Sequence, residues 1–80
     1  MFSYTISKKA SLKEFEQICI LIEATFRNIK KAEVLEDVDG SLIQIYTTFN
    51  GEIKVYNDYD VDAVYIDSEQ NLDLMFSLYS

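Results

Sequence analysis

Histidine, proline and tryptophan are absent from this chain, and cysteine and glycine are scarce, with one Cys and two Gly among 80 residues. Each shortage removes a chemistry. Without His there is no imidazole to act as general base near neutral pH. A single Cys closes no internal disulfide and supplies no thiolate zinc site, and two isolated Gly cannot build a phosphate-cradling loop. Long apolar runs are missing too. The longest, Ile18 to Ile22, is five residues, against the roughly 18–20 needed for a membrane-spanning helix. The segment Met1-Phe2-Ser3-Tyr4-Thr5-Ile6 lacks the basic start and apolar stretch of a secretion signal, so a cytoplasmic location is expected.

What remains is enough for one small acidic domain over residues 1–80. Apolar residues make up 49% of the chain, while a domain of this size buries only roughly 60–65% of its unfolded surface. Phe2, Tyr4 and Ile6 alternate with Ser3, Thr5 and Ser7, the period-two pattern of a strand with one buried face. Ser11-Leu12-Lys13-Glu14 then forms a capping box, opening a helix that the spacing predicts over Leu12 to Asn28. Within it Leu12, Phe15, Ile18, Cys19, Ile22, Phe26 and Ile29 fall in one sector and form the core face. Cys19 reads as a small buried thiol, and Ile20, nearly opposite the sector, as a lone exposed residue.

Beyond the helix, short alternating runs are separated by Asp39-Gly40 and Asn50-Gly51. They predict strands over Ala32 to Asp37, Leu42 to Phe49, Glu52 to Asn57, Asp62 to Asp67 and Leu72 to Leu78. A three-residue loop with Gly51 in a bulge pairs Thr48 with Glu52 and Ile45 with Val55. That register puts Ile43, Ile45, Thr47, Ile53 and Val55 inward, and Gln44, Tyr46, Lys54 and Tyr56 outward. In the last run Leu72, Leu74, Phe76 and Leu78 alternate as a strand does, which matches the strand template better than the competing short helix across Leu72 to Tyr79. The expected fold class is α+β: a single helix packed on a mainly antiparallel sheet of five to six strands, in the order β-α-β-β-β-β-β.

Charge is distributed unevenly along this order. Residues 1–31 carry six basic and three acidic side chains, net +3, whereas residues 32–80 carry one basic residue, Lys54, and eleven acidic ones, net −10. The whole chain is −7. Such self-repulsion costs stability and steers basic partners toward the sheet half, while disfavouring direct contact with nucleic acid. The densest acids are Asp58, Asp60 and Asp62, with Glu36, Asp37 and Asp39 earlier. In an extended chain the first three would stand on one side about 6.6–6.8 Å apart, a row that imitates phosphates. Tyr46, Tyr56, Tyr59 and Tyr65 add the rigid aromatic area that interfaces favour. A plainer reading makes the acids a solvated edge that blocks aggregation.

Asp58, Asp60, Asp62 and Glu69 also match acid positions of a calcium loop, but the site of its sharp-turn Gly is held by Ala63 and strands flank it, so no metal site is expected. A one-helix, one-sheet domain offers little room for a cleft that tunes paired carboxylates, so no enzyme activity and no cofactor are expected. In size and charge alone the chain resembles the small inhibitors that bacteriophages direct against host nucleic-acid enzymes, including anti-CRISPR and anti-restriction proteins. That resemblance implies an acidic protein inhibitor occupying the basic channel of a nuclease or CRISPR effector by polyanion mimicry. Its expected contact residues are Glu36, Asp37, Asp39, Tyr46, Tyr56, Asp58, Tyr59, Asp60, Asp62 and Tyr65. The alternative is an immunity protein or adaptor that binds a basic partner without nucleic-acid competition. A monomer or weak homodimer is expected, a dimer using Ile20 and a free strand edge.

Overall fold

A computed structural model describes residues 1–79. The chain opens with β1 (Phe2–Ser7), followed by α1 (Leu12–Thr25), β2 (Lys30–Lys31), β3 (Leu35–Glu36), β4 (Leu42–Thr48), β5 (Gly51–Asp58), β6 (Ala63–Ser68) and α2 (Asp73–Tyr79). All pairings are antiparallel. The strands lie in the order β1-β6-β5-β4-β2, with β3 also paired to β4. The α+β class and the sequence β-α-β-β-β-β-β are therefore as expected, with a second, short helix closing the described chain.

The start of α1 follows from its cap. Ser11 adopts an extended backbone and its Oγ accepts from the Glu14 N–H, satisfying one of the donors a helix start leaves open. Two contacts fix the loop before it: Asp62 Oδ1, in the turn between β5 and β6, accepts from Ala10 N, and Asn57 Oδ1, in β5, from Ser11 N, both at 2.9 Å. The helix ends three residues earlier than its periodicity suggests. Thr25 Oγ1 donates to the Leu21 carbonyl, and Phe26 leaves the helix in an extended conformation. Phe15, Ile18, Cys19 and Ile22 form its buried stripe as expected; Leu12 is exposed instead, and Ile20 is exposed as the pattern predicts.

The core lies between α1, α2 and one face of the sheet. Ile22, Ile53, Val55, Val64 and Ile66 have no solvent exposure, each stabilising the fold by about 1.5–3 kcal/mol relative to exposure. Both α1 and α2 deliver side chains to this core, Met75 coming from α2 and Leu72 from just before it. Among the described residues no helix covers the sheet's second face, which stays open.

Three expectations need correction. Leu72 to Leu78 is not a strand: the buried residues are Leu72 and Met75, three apart as on a helix, while Leu74 and Leu78 are exposed. Asn71 Oδ1 accepts from the Asp73 N–H and starts the turn. The expected strand over Ala32 to Asp37 shrinks to β3, with β2 lying just before its expected start. The β4–β5 register also differs, since Thr48 pairs with Gly51 and Ile45 with Lys54. The turn residues are Phe49 and Asn50, because Thr48 Oγ1 accepts from Asn50 N and donates to the Gly51 carbonyl. Gly51, at φ 116, begins β5. This shift turns Gln44 and Tyr46 toward the helices, and Ile43 and Ile45 toward the open face.

Candidate functional site

The open face is organised by rows of directly paired residues. One row runs Thr5–Tyr65–Tyr56–Ile43–Leu35 across five strands. Its centre is aromatic: Tyr56 and Tyr65 stack with ring centroids 4.6 Å apart and planes 11° from parallel. The next row runs Ser3–Asp67–Lys54–Ile45. Open-face strands thus carry a half-buried apolar strip of Ile43, Ile45, Tyr56 and Tyr65, flanked by charge.

At one end of this strip two acidic turns meet. Antiparallel pairing of Leu42 with Asn57 brings the start of β4 beside the end of β5, so the turn before β4 and the turn after β5 are neighbours. The Ser41 hydroxyl joins them, and backbone bonds shape the first. Asp37 N donates to the Ser41 carbonyl and Gly40 N to the Asp37 carbonyl. Asp39 Oδ1 accepts from Ser41 N, and Ser41 Oγ accepts from Tyr59 N, both at 2.9 Å. Gly40 has φ 88, and the Tyr59 ring lies against its open side. On the other turn Asp58 Oδ1 accepts from Asp60 N at 2.8 Å and from Val61 N at 3.3 Å. Between the turns lies a depression of about 280 Å³, with Asp37, Asp39, Asp58 and Asp60 around it and Ile43 and Tyr56 in its lining.

These carboxylates are not equivalent. The Asp39 carboxyl is held below its ordinary range by the Ser41 N–H and hydroxyl. Asp58 Oδ2 accepts from the Tyr65 hydroxyl at 3.3 Å. Burial first, and then the Asp58 charge, pushes the Tyr65 phenol up to about 12. Asp60 lies exposed at the rim. Among the described residues the ion pairs are Lys31–Glu23, at 3.1 Å, and Lys54–Glu52, at 4.0 Å, so no Lys or Arg neutralises the depression. No three of these residues converge closely enough to hold a metal ion, among the described residues.

Of the ten residues singled out from the sequence, Asp37, Asp39, Tyr56, Asp58 and Asp60 line the depression. Tyr59 and Tyr65 adjoin it through Gly40 and Tyr56. Three lie elsewhere. Tyr46 is fully buried, so it offers no contact surface: its hydroxyl donates to Glu23 Oε2 at 2.6 Å and ties the sheet to α1. Asp62 departs from the imagined row because the chain turns after Asp58; Asp62 sits at φ 55, and its carboxylate is engaged with Ala10 N. Glu36 pairs with Leu42, whose side chain packs toward the core, which places Glu36 on the helix side of β3. Ile43 and Ser41 are parts of the site that the expected register hid. Asn57 is buried beside the depression, with Oδ1 accepting from Ser11 N and Nδ2 left without a hydrogen-bond partner.

The fold and site together define a two-layer α+β protein with one sheet face uncovered, aromatic at its centre and acidic at one end. No protein-family model matches the chain, and no curated protein or solved structure matches it either.

Proposed function

We propose that this protein is a small acidic inhibitor that binds a basic protein surface through the open sheet face, in competition with nucleic acid. The observation that carries the reading is the gathering of Asp37, Asp39, Asp58 and Asp60 around one depression beside the Tyr56–Tyr65 stack. Two segments separated in sequence hold four carboxylates together with no cation of the chain's own among them, an arrangement that opposes folding through mutual repulsion. A basic partner relieves that repulsion. Arg and Lys side chains of a nucleic-acid channel would meet the carboxylates, while Tyr56, Tyr65 and Ile43 supply the desolvated centre that an interface needs. The role is one of occupancy and involves no chemical step.

The test is capture of partners from a bacterial lysate at low and high salt, followed by displacement with duplex DNA or RNA. A partner with a basic nucleic-acid channel, released by salt and displaced by nucleic acid, is the expected result. The double variant Asp58→Asn, Asp60→Asn keeps the Asp58 oxygen that accepts from the turn and should weaken that binding without lowering the melting temperature. A partner indifferent to nucleic acid would favour an adaptor or immunity role. Full retained affinity of the double variant would remove the acidic depression from the contact.

A further inference from the structure

The two edges of the sheet are built differently. One ends in β2 and β3, two residues each, with Lys30 and Lys31 in β2. Short strands and lysines are devices that stop a sheet from accepting another strand. The opposite edge is β1, six residues of sequence Phe-Ser-Tyr-Thr-Ile-Ser without a charged side chain. Among the described residues its one strand neighbour is β6, so the backbone groups of β1 that point away from β6 have no described strand to pair with. A bulge interrupts its pairing only near the end, between Thr5 and Ser7.

Helix α2 runs beside this edge and makes it a groove. Tyr4 connects the two: its hydroxyl accepts from Leu72 N at 2.8 Å and donates to Asp73 Oδ1 at 3.0 Å, and its ring lies 5.0 Å from that of Phe76. The groove is shallow and open to solvent, about 610 Å³ between residues 3–6 of β1 and Asp73, Phe76 and Ser77 of α2. Its single charged lining residue is Asp73. On the open-face side the nearest charge is Asp67, whose Oδ1 accepts from Ser3 Oγ at 2.8 Å. Lys8 and Lys9 stand beyond the bulge and do not line it.

We infer that β1 and α2 form a docking groove for an extended segment of a partner protein, which adds to the sheet as a further strand and alternates apolar with basic residues. Alternate side chains of an added strand point to opposite faces. One set would enter the groove against Phe76 and Ile6, and there apolar groups fit. The other set would stand next to Ser3 and Asp67 on the open face, and there Lys or Arg fits the charge. Strand addition draws its affinity from main-chain hydrogen bonds and its selectivity from these alternate positions. This surface lies apart from the acidic depression and stands whether or not that depression binds a basic channel.

The test uses the full chain and an acetylated, amidated peptide of four Val-Lys repeats, with binding followed by calorimetry and by backbone amide shifts. N-methylating every Val amide blocks one edge of the peptide backbone, and N-methylating every Lys amide blocks the other. The expected result is that one series loses affinity by about tenfold or more while the other is retained. Shifts should centre on residues 2–7 and α2. Ser3→Arg, which places a cation beside Asp67, should weaken binding, whereas Asp60→Asn should not. Equal binding of both N-methylated series, or equal binding of a Val-Glu peptide, would overturn the inference. So would loss of binding in Asp60→Asn alone, which would put the peptide on the acidic depression. A concentration-dependent dimer abolished by Ser3→Arg would assign the edge to a second copy of the chain instead.

Discussion

Replacing Tyr46 by Phe removes one oxygen from a fully buried side chain and leaves its ring packing intact. That oxygen donates to Glu23 Oε2 at 2.6 Å, and Lys31 Nζ lies 3.1 Å from the same carboxylate oxygen. A hydrogen bond to an ionised group contributes ~1.5–3 kcal/mol. The Glu23 side chain is 38% exposed, so water can partly replace the lost donor, and the cost falls to about 1 kcal/mol. In a domain of this size that corresponds to about 4–8 °C in Tm. The contact also leaves a signature in pH. The Tyr46 hydroxyl is the main influence holding the Glu23 carboxyl below its ordinary value; partial desolvation opposes it, and Lys31 assists. Because the folded pKa is depressed, the stabilisation is complete above the unfolded value of about 4.3 and disappears as pH falls through the folded value. Urea unfolding of both proteins, followed by circular dichroism, should show a constant gap near neutrality that closes in acid. A gap that persists unchanged in acid would assign the loss to packing, and no gap at neutral pH would show that the hydroxyl adds nothing over water.

Gly51→Ala should lower stability by about 1–3 kcal/mol in a thermal melt, since φ is 116 and the added Cβ would approach Glu69 Cβ to 2.8 Å; an unchanged Tm would contradict the turn described. Absorbance titration should find the Tyr65 phenol near 12, and Asp58→Asn should bring it down toward the ordinary ~10. The folded state here keeps its proton longer than the unfolded chain, so this contribution is complete below about pH 10 and is lost as pH rises toward 12. Met75→Ala should cost about 2–5 kcal/mol and Leu74→Ala less than ~0.5 kcal/mol. The reverse order would restore the strand reading of this segment.

Much of the architecture was legible because local signals and the tertiary outcome coincide. Ser11 and Glu14 mark the true start of α1, and the alternation of Val64 and Ile66 with Ala63 and Tyr65 assigns the faces of β6 correctly. The departures in β4 and at the end of the chain share a cause: an apolar pattern does not by itself report burial. In β4 the helix side takes Gln44 and Tyr46, each satisfied by a hydrogen bond to Ala32 O and Glu23 respectively, while Ile43 and Ile45 remain on the open side. A polar side chain with a waiting partner can occupy a core position, and a sequence does not reveal the partner. In α2 the alternation of Leu72, Leu74, Phe76 and Leu78 concealed the three-residue spacing of Leu72 and Met75. The acidic site was half visible: its residues could be named, but their meeting depends on the β4–β5 register, which brings turns some twenty residues apart side by side; the same register buries Tyr46, while the turn after Asp58 carries Asp62 away.

The Tyr4–Leu72 contact joins residues 68 positions apart, and β1 finds its strand neighbour only in β6. During synthesis the first strand therefore emerges long before the segment that completes it. Until β6 and α2 follow, Phe2, Tyr4 and Ile6 form an aromatic, uncharged ribbon with neither edge paired. The nascent chain is thus most open to capture by foreign strands at the moment when it is least able to close its own sheet, and its first protection is the speed with which its far end arrives.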